Sequence, residues 1–432
     1  MKSVYAFFAL VPVLGSCAHA SAATSPLPES VATAKALMLN NRYPEAETLL
    51  KQLALTEPRS NDVAFLLGLL ALRSRDYDAA VDAFRSILIR SPDAFRVRLE
   101  LGRAFFLKRD YENAFRQFQF ARAAKLPPGV EAAIDRYVES IRKEKNWSYN
   151  VSFAVAPDTN INNGTSARET ELFGLPFELG DETRQKSGIG VSLVAGGEFA
   201  PRLNERTRLR LGANIQRREY SGTDSDDMTL AMHAGPRLML TGWDVSLLAT
   251  VFRRRFGGAL LVEGAGARIE ATRYHGRRTA LSLGASAGRV RYPDYQLQYG
   301  NTFAAWGGAV RALTPASTVN ARIGFSRKTA RTPELASRSG WITVGYFRDF
   351  PGGFSVYVEP GYGTSRFDSA DPFFGMRRKD RLAELQLAVL NRRIILERFT
   401  PRVALTFARR NSTIDVHDFR QRRLEVGLTS SF

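Results

Sequence analysis

Two hydrophobic periods divide this 432-residue chain. Up to about residue 146, apolar side chains recur every three or four positions, the spacing of amphipathic helices. A longer period of 34 lies over it: Tyr43, Tyr77 and Tyr111; Ala46, Ala80 and Ala114; Leu50, Phe84 and Phe118; Pro58 and Pro92. Leu67-Gly68 returns as Leu101-Gly102, and Arg75-Asp76-Tyr77 as Arg109-Asp110-Tyr111. Small residues that let paired helices approach, large ones between them and proline after the second helix make up the tetratricopeptide pattern. Three such units are expected over 27–127. After Pro127-Pro128 one more amphipathic helix follows, with Val130, Ile134, Tyr137, Val138 and Ile141 on one face. Within a linker over 128–146, it is placed to cap the stack's apolar end.

From Trp147 the period falls to two. Leu209, Leu211, Ala213 and Ile215 alternate with Arg208, Arg210, Gly212 and Asn214; Val319, Ala321, Ile323 and Phe325 alternate with Asn320, Arg322 and Ser326. One apolar face and one polar, charged face suit a lipid-facing wall around a wet lumen. A soluble sandwich would have to bury those arginines at high cost. Fourteen segments of this kind begin near 148, 187, 205, 227, 242, 259, 277, 301, 317, 339, 353, 380, 400 and 420. Tight turns such as Thr241-Gly242, Thr314-Pro315 and Pro351-Gly352 alternate with longer polar loops over 158–185, 218–226, 292–299, 328–336 and 367–378. Outer-membrane barrels have short periplasmic turns and long external loops, and an even strand number returns the C-terminus to the periplasm. The expected fold is an α-helical tetratricopeptide solenoid followed by a transmembrane antiparallel β-barrel of about 14 strands over 147–432. Its last strand carries Leu424, Val426, Leu428 and Phe432 on one face; the terminal aromatic is a signal for insertion by the outer-membrane assembly machinery.

The N-terminus agrees with export. Lys2, the apolar run from Val4 to Leu14 and Ala18-His19-Ala20 read as a signal peptide over 1–20. Leu14-Gly15-Ser16-Cys17 leaves open lipoprotein processing at Cys17; cleavage after Ala20 removes the chain's single cysteine and with it any thiol chemistry. Net charge is +18, and residues 147–432 hold 40 basic and 27 acidic side chains, with Lys186, Lys328 and Lys379 the only lysines. An exported barrel does not meet nucleic acid. Arginine suits phosphate and carboxylate instead, although a GC-rich genome explains the excess equally well. Arg208, Arg210 and Arg322 are candidates to line the lumen, and external Arg377 and Arg378 to meet lipopolysaccharide phosphates among the outer-membrane lipids. On the repeats, the inner face of the first helices holds Asp62, Phe65, Leu69, Arg96, Leu99, Arg103 and Phe106, a surface for a client peptide or protein.

The chemistry of an enzyme is not legible. His19, His233, His275 and His417 offer no zinc-ligand spacing, nothing selects a nucleophile with its base, and nucleotide-binding glycine motifs are absent. No catalytic residue, metal or cofactor is assigned. The stretch "APDTNINNGTSARE" puts Asp158, Asn160, Asn162 and Glu169 at positions 1, 3, 5 and 12 of a calcium loop, but Asn163 stands where the sharp turn wants glycine. A β-strand precedes it, and Asn and Asp also serve turns by capping them.

Asp158-Thr159-Asn160-Ile161-Asn162-Asn163 after the first strand resembles a signature of the surface lipoprotein assembly modulators, the Slam family. Phe374-Gly375-Met376-Arg377-Arg378-Lys379-Asp380 and Thr400-Pro401-Arg402-Val403-Ala404-Leu405 are similar to that family's last external loop and penultimate strand. The resemblance covers the barrel residue by residue and the repeats in architecture. It implies a bacterial outer-membrane protein with a periplasmic N-terminal domain that moves lipoproteins, or soluble secreted proteins, to the cell surface. The repeats would engage the client and the barrel would act as translocator. The alternative is a polysaccharide export porin, which also joins periplasmic tetratricopeptide repeats to a barrel and would use an arginine-rich lumen for an acidic polymer. A passive porin or adhesin is a third reading, with no use for the repeats.

Overall fold

The computed structural model of the chain describes residues 28–276, 278–396 and 399–430. The expected signal peptide over 1–20, Cys17 and Phe432 lie outside the described residues. The helical period becomes seven helices: α1 (Glu29–Leu39), α2 (Tyr43–Thr56), α3 (Asn61–Arg73), α4 (Tyr77–Arg90), α5 (Phe95–Leu107), α6 (Tyr111–Ala121) and α7 (Pro128–Glu144). Compactness divides the chain after Leu67. In the first unit α1 packs on α2, burying Val31, Ala34, Ala46 and Leu50.

In the second unit the small-against-large rule of the repeat has direct physical content. A Cβ on Gly68 would stand 2.6 Å from the Phe84 ring, and one on Gly102 2.9 Å from the Phe118 ring. Both rings are fully buried, so neither has space to retreat. The turns repeat too: Arg75 and Arg109 take left-handed backbone at φ 64° and 65°. The aspartate that follows each one caps the next helix, Asp76 accepting from the Ala79 N–H and Asp110 from the Asn113 N–H. Asn41 holds the same conformation one period earlier, in the first unit.

The two-residue period becomes a closed antiparallel barrel of 14 strands, in sequence order around the wall. They are β1 (Trp147–Asp158), β4 (Gly188–Phe199), β5 (Thr207–Tyr220), β6 (Gly222–Leu240), β7 (Trp243–Phe256), β8 (Ala259–His275) and β9 (Thr279–Arg291). The wall continues with β10 (Gly300–Thr314), β11 (Ser317–Lys328), β12 (Ser337–Asp349), β13 (Phe354–Ala370), β14 (Arg377–Asn391), β15 (Thr400–Ser412) and β16 (Phe419–Thr429). A small hairpin, β2 (Glu169–Leu172) and β3 (Leu175–Glu178), stands in the first external loop. Two loops are shorter than expected. Residues 218–220 and 222–226 are strand rather than loop, with β5 and β6 meeting across Tyr220 and Gly222, and strands β13 and β14 take in 367–370 and 377–378. The Asp226 carboxylate accepts the Tyr220 N–H at 2.9 Å, and Gly222 supplies the left-handed residue (φ 89°) that a tight turn needs.

Apolar side chains face outward, where Ile323 is 61% and Leu247 57% exposed. Trp147 stacks on Phe199 at 4.3 Å on that face, where the wall joins the helical segment. Aromatic rings belong at such a membrane boundary. We expect Gly102→Ala to destabilise the helical segment by about 1–3 kcal/mol by forcing the Phe118 ring off its rotamer, and Phe118→Leu in the same chain to restore part of the loss. Urea unfolding followed at 222 nm in detergent measures both.

Candidate functional site

At one end of the barrel, the turns between strands are bonded to the helices. Asp349, at the end of β12, is 4% exposed and receives Arg98 of α5 at 2.8 Å and Arg392 at 3.3 Å. The remaining Arg98 N–H groups donate to the Pro92 carbonyl and to Gln117. Its guanidinium lies 4.8 Å from the Phe120 ring, which meets Phe347 of β12 at 6.0 Å. The Gly352 N–H donates to the Ile89 carbonyl, and Arg278 donates to the carbonyls of Arg122 and Ala124. Asp244 of β7 is shared by Arg142 of α7 and Arg237. Helix ends leave carbonyls without partners. Arg208 of β5 fills that role for α7, donating to the carbonyls of Arg142, Lys143 and Lys145 at 2.6–2.7 Å. The helical segment is thus held at the turns after β4, β6, β8 and β12, widely spaced around one rim.

Inside, the arginines are neutralised by the wall itself. Arg210 meets Glu198 at 2.7 Å and Glu270 at 2.9 Å, with Ser246 at 3.0 Å. The His233 ring shares Glu198 at 3.0 Å and lies across Gly212, where a Cβ would collide with it. Arg322 donates from one guanidinium nitrogen to both Glu359 oxygens at 2.9 Å, and the Tyr357 hydroxyl donates to the same carboxylate. Arg208, Arg210 and Arg322 therefore all have fixed internal partners. Arg378 also points inward, tied to Asp380 at 2.7 Å and lying over the Phe367 ring; only Arg377 of the expected lipid-contacting pair faces out. In the external segment Asp415–His417, burial, reinforced by Arg378, pushes the His417 imidazole down to about 4, so it is neutral at physiological pH.

The wall closes where β16 meets β1, and this ladder is interrupted. Ser152–Val155 pair with Val426–Thr429, pairing lapses at Ala156 and Pro157, and it resumes at Asp158 opposite Arg423. Pro157 has no N–H to offer. Prolines bring the same two-residue lapse to β6–β7 at Gly235 and Pro236 and to β12–β13 at Glu359 and Pro360, whereas β1 pairs with β4 without a break from Trp147 to Asp158. A cleft of about 500 Å³ runs along the break, lined by Pro157, Ile189, Leu405, Phe407 and Leu424 among others. Side chains bridge the seam on both sides of it. The Ser152 and Thr429 hydroxyls are 2.7 Å apart, and Gln421 donates to the Asp158 carboxylate at 2.8 Å and to the Asn160 carbonyl at 3.1 Å. Asn160 is fully buried; its amide donates to the carbonyls of Arg420 and Gly164 and accepts the Gly164 N–H. Asn162 ties the loop's two ends by accepting the Lys186 N–H and donating to Arg184, while Asn163 supplies a left-handed turn at φ 53°. Asn160 and Asn162 spend their side-chain polar atoms on backbone. Among the described residues no group of acidic, histidine or cysteine side chains is placed to hold a metal.

The repeat-face residues differ in exposure. Phe65 lies on α3 in the first unit and is half-buried. In the second, Leu69 and Leu99 are half-buried and Arg96 is exposed. Arg103 contacts Glu100 at 3.6 Å; burial pushes that carboxyl above its usual range while Arg103 and Arg96 oppose the shift. The Phe106 ring is covered by Tyr137 of α7 at 5.1 Å, and Tyr137 also stacks on Phe118 at 5.0 Å.

Residues 147–432 match the family model described as surface lipoprotein assembly modifier, and residues 31–95 and 65–129 match a tetratricopeptide repeat. The chain belongs to the surface lipoprotein assembly modifier family. Surface lipoprotein assembly modifier 1 of Neisseria meningitidis serogroup B is 24% identical over 381 residues, covering 84% of this chain and 75% of that protein. The surface lipoprotein assembly modifier of Pasteurella multocida is 18% identical, covering 91% and 81%. Among solved structures, a Pseudomonas aeruginosa FadL homologue aligns with 66% of this chain and 89% of its own, at 10% identity and a TM-score of 0.37. Family membership gives the chain a role in surface lipoprotein assembly. It is an outer-membrane protein, with its repeats in the periplasm.

In this assembly modifier, of the residues that join helices to barrel only Arg208 was singled out by sequence, and as a lumen residue rather than a partner of α7. Arg98 carried one signal: it shares a helix face with Leu101 and Phe105, where an arginine needs a buried partner. Asp349 and Asp244 carried none, since an aspartate at a strand end looks like any turn residue. Asp349→Ala leaves Arg98 buried without its carboxylate, a loss of about 3–5 kcal/mol. The expected outcome is faster tryptic cutting between α7 and β1 in the folded, detergent-solubilised chain. Asn160→Ala removes the hydrogen bonds that hold the loop to β16, about 1–3 kcal/mol, and should lower the temperature at which the barrel loses its compact electrophoretic mobility.

Proposed function

We propose that this assembly modifier translocates lipoprotein clients across the outer membrane, its periplasmic repeats engaging the client and its barrel providing the route to the surface. The observation that carries the reading is the bonded rim: a client held by the helices is delivered to the barrel mouth, because the helical segment is fixed to the wall at four turns. Arg96 and the half-buried Leu69 and Leu99 supply the client surface in this reading, while Phe106 serves α7 instead. The interrupted β1–β16 ladder adds a route for the anchor. Acyl chains lose about 0.8 kcal/mol per CH₂ on leaving hydrocarbon, so a lipidated client favours a line along which the wall opens sideways over one that keeps its lipid inside a polar lumen. The polysaccharide-export reading is less well supported, since Arg208, Arg210 and Arg322 are already satisfied by carboxylates and carbonyls and offer an acidic polymer no open charge.

The test pairs this chain with a candidate surface lipoprotein. On intact cells, added protease should cut the client only when the chain is co-expressed; a client protected in both cases sinks the reading for that pair. Ser152→Cys/Thr429→Cys places a disulfide across the seam. Oxidation should block display and reduction should restore it, whereas equal display in both states removes the lateral route but leaves translocation standing.

A further inference from the structure

Side chains directly opposite one another on neighbouring strands sit about 5 Å apart, and like charges in that position are destabilising. On the outward face of the barrel, at the end away from the helices, the wall stacks four such cations. Arg327 of β11 opposes Arg338 of β12, Arg338 opposes Arg366 of β13, and Arg366 opposes Lys379 of β14. Four residues inward on the same face, the same strands align Ile323, Ile342, Tyr362 and Ala383, so the row lies just above the apolar band. One carboxylate answers it: Asp368 lies 2.7 Å from Arg327 and 3.9 Å from Arg338. Arg366 and Lys379 are exposed and form no ion pair among the described residues. Arg377 and Arg381 flank Lys379 on the same face. In the lumen Arg210 and Arg322 have fixed carboxylate partners; here, where side chains meet lipid headgroups, the charge is left open.

We propose that this row is a binding site for the phosphate groups of an anionic lipid of the outer leaflet. Guanidinium groups take phosphate oxygens in bidentate pairs, and the apolar surface beneath the row accepts the acyl chains of the same molecule. A phosphate bridging two neighbouring cations removes the repulsion that the bare wall carries. The site belongs to the wall and holds whether or not the barrel translocates a client.

The experiment uses the full chain in detergent, with bisphosphorylated lipid A as the probe and native mass spectrometry to count bound lipid. Its enzymatically dephosphorylated form and inorganic phosphate at matched concentration are the comparison arms. Arg366→Gln/Lys379→Gln should weaken binding of bisphosphorylated lipid A about tenfold, and the dephosphorylated lipid should bind wild type no better than the variant. Without lipid, the variant should unfold at the same or a higher temperature than wild type, because opposed charges are gone. Should the double variant fail to fold, Lys379→Gln alone is expected to weaken binding about threefold. Unchanged binding by the variant overturns the proposal. So does equal binding of the dephosphorylated lipid, which is acyl-driven, or equal occupancy by inorganic phosphate, which marks a free-anion site.

Discussion

In hydrocarbon an unpaired N–H or carbonyl costs several kcal/mol, so a sheet survives in a bilayer only when its two edges meet. The rest of this molecule depends on that closure, and the closure rests on β1 and β16. Their ladder lapses at Ala156 and Pro157, and side chains compensate on either side of the gap: Ser152 with Thr429 below, Asp158, Asn160 and Gln421 above. The asparagine-rich stretch follows from this. Short amide side chains reach backbone carbonyls that a broken ladder leaves over, and they tolerate the turn that leads the chain out of the wall.

The arginine excess sorts by location into three physical roles. In the lumen, Arg210 and Arg322 are locked to glutamates, which keeps the interior polar without leaving net charge at those points. At the periplasmic rim, Arg98, Arg142, Arg208 and Arg278 join helices to barrel, using carboxylates or helix-end carbonyls as acceptors. On the outward face beyond the apolar band, Arg338 and Arg366 stand beside one another with a single aspartate nearby. Burial and neighbours decide what each arginine does.

The rim has a mechanical consequence for an assembly protein. A tetratricopeptide stack grows by nearest-neighbour contacts, and its last helix here ends on the barrel wall. Tyr137 lies between Phe106 and Phe118, and the C-terminal carbonyls of α7 are gathered by Arg208. The last helix is therefore joined to the wall by direct hydrogen bonds as well as by the chain itself.

Much of this was written in the sequence, because periodicity is a local property. The 34-residue spacing of Tyr77 and Tyr111, the glycines facing Phe84 and Phe118, and the alternation in strands such as β5 and β11 each need only a neighbouring turn or strand to act on. The extended hairpin over 218–226 escaped that reading, since polar residues above the membrane band look like loop whether or not they pair. The sequence by itself determined the helical repeat, the barrel and its strand number, and the family through its motifs. Tertiary structure alone decided which arginines are spent and which stay open. Asp349 and Arg98 are 251 residues apart, Asn160 and Arg420 260, and no local pattern registers a partner at that distance: packing of α5 on the rim joins the first pair and closure of the wall the second.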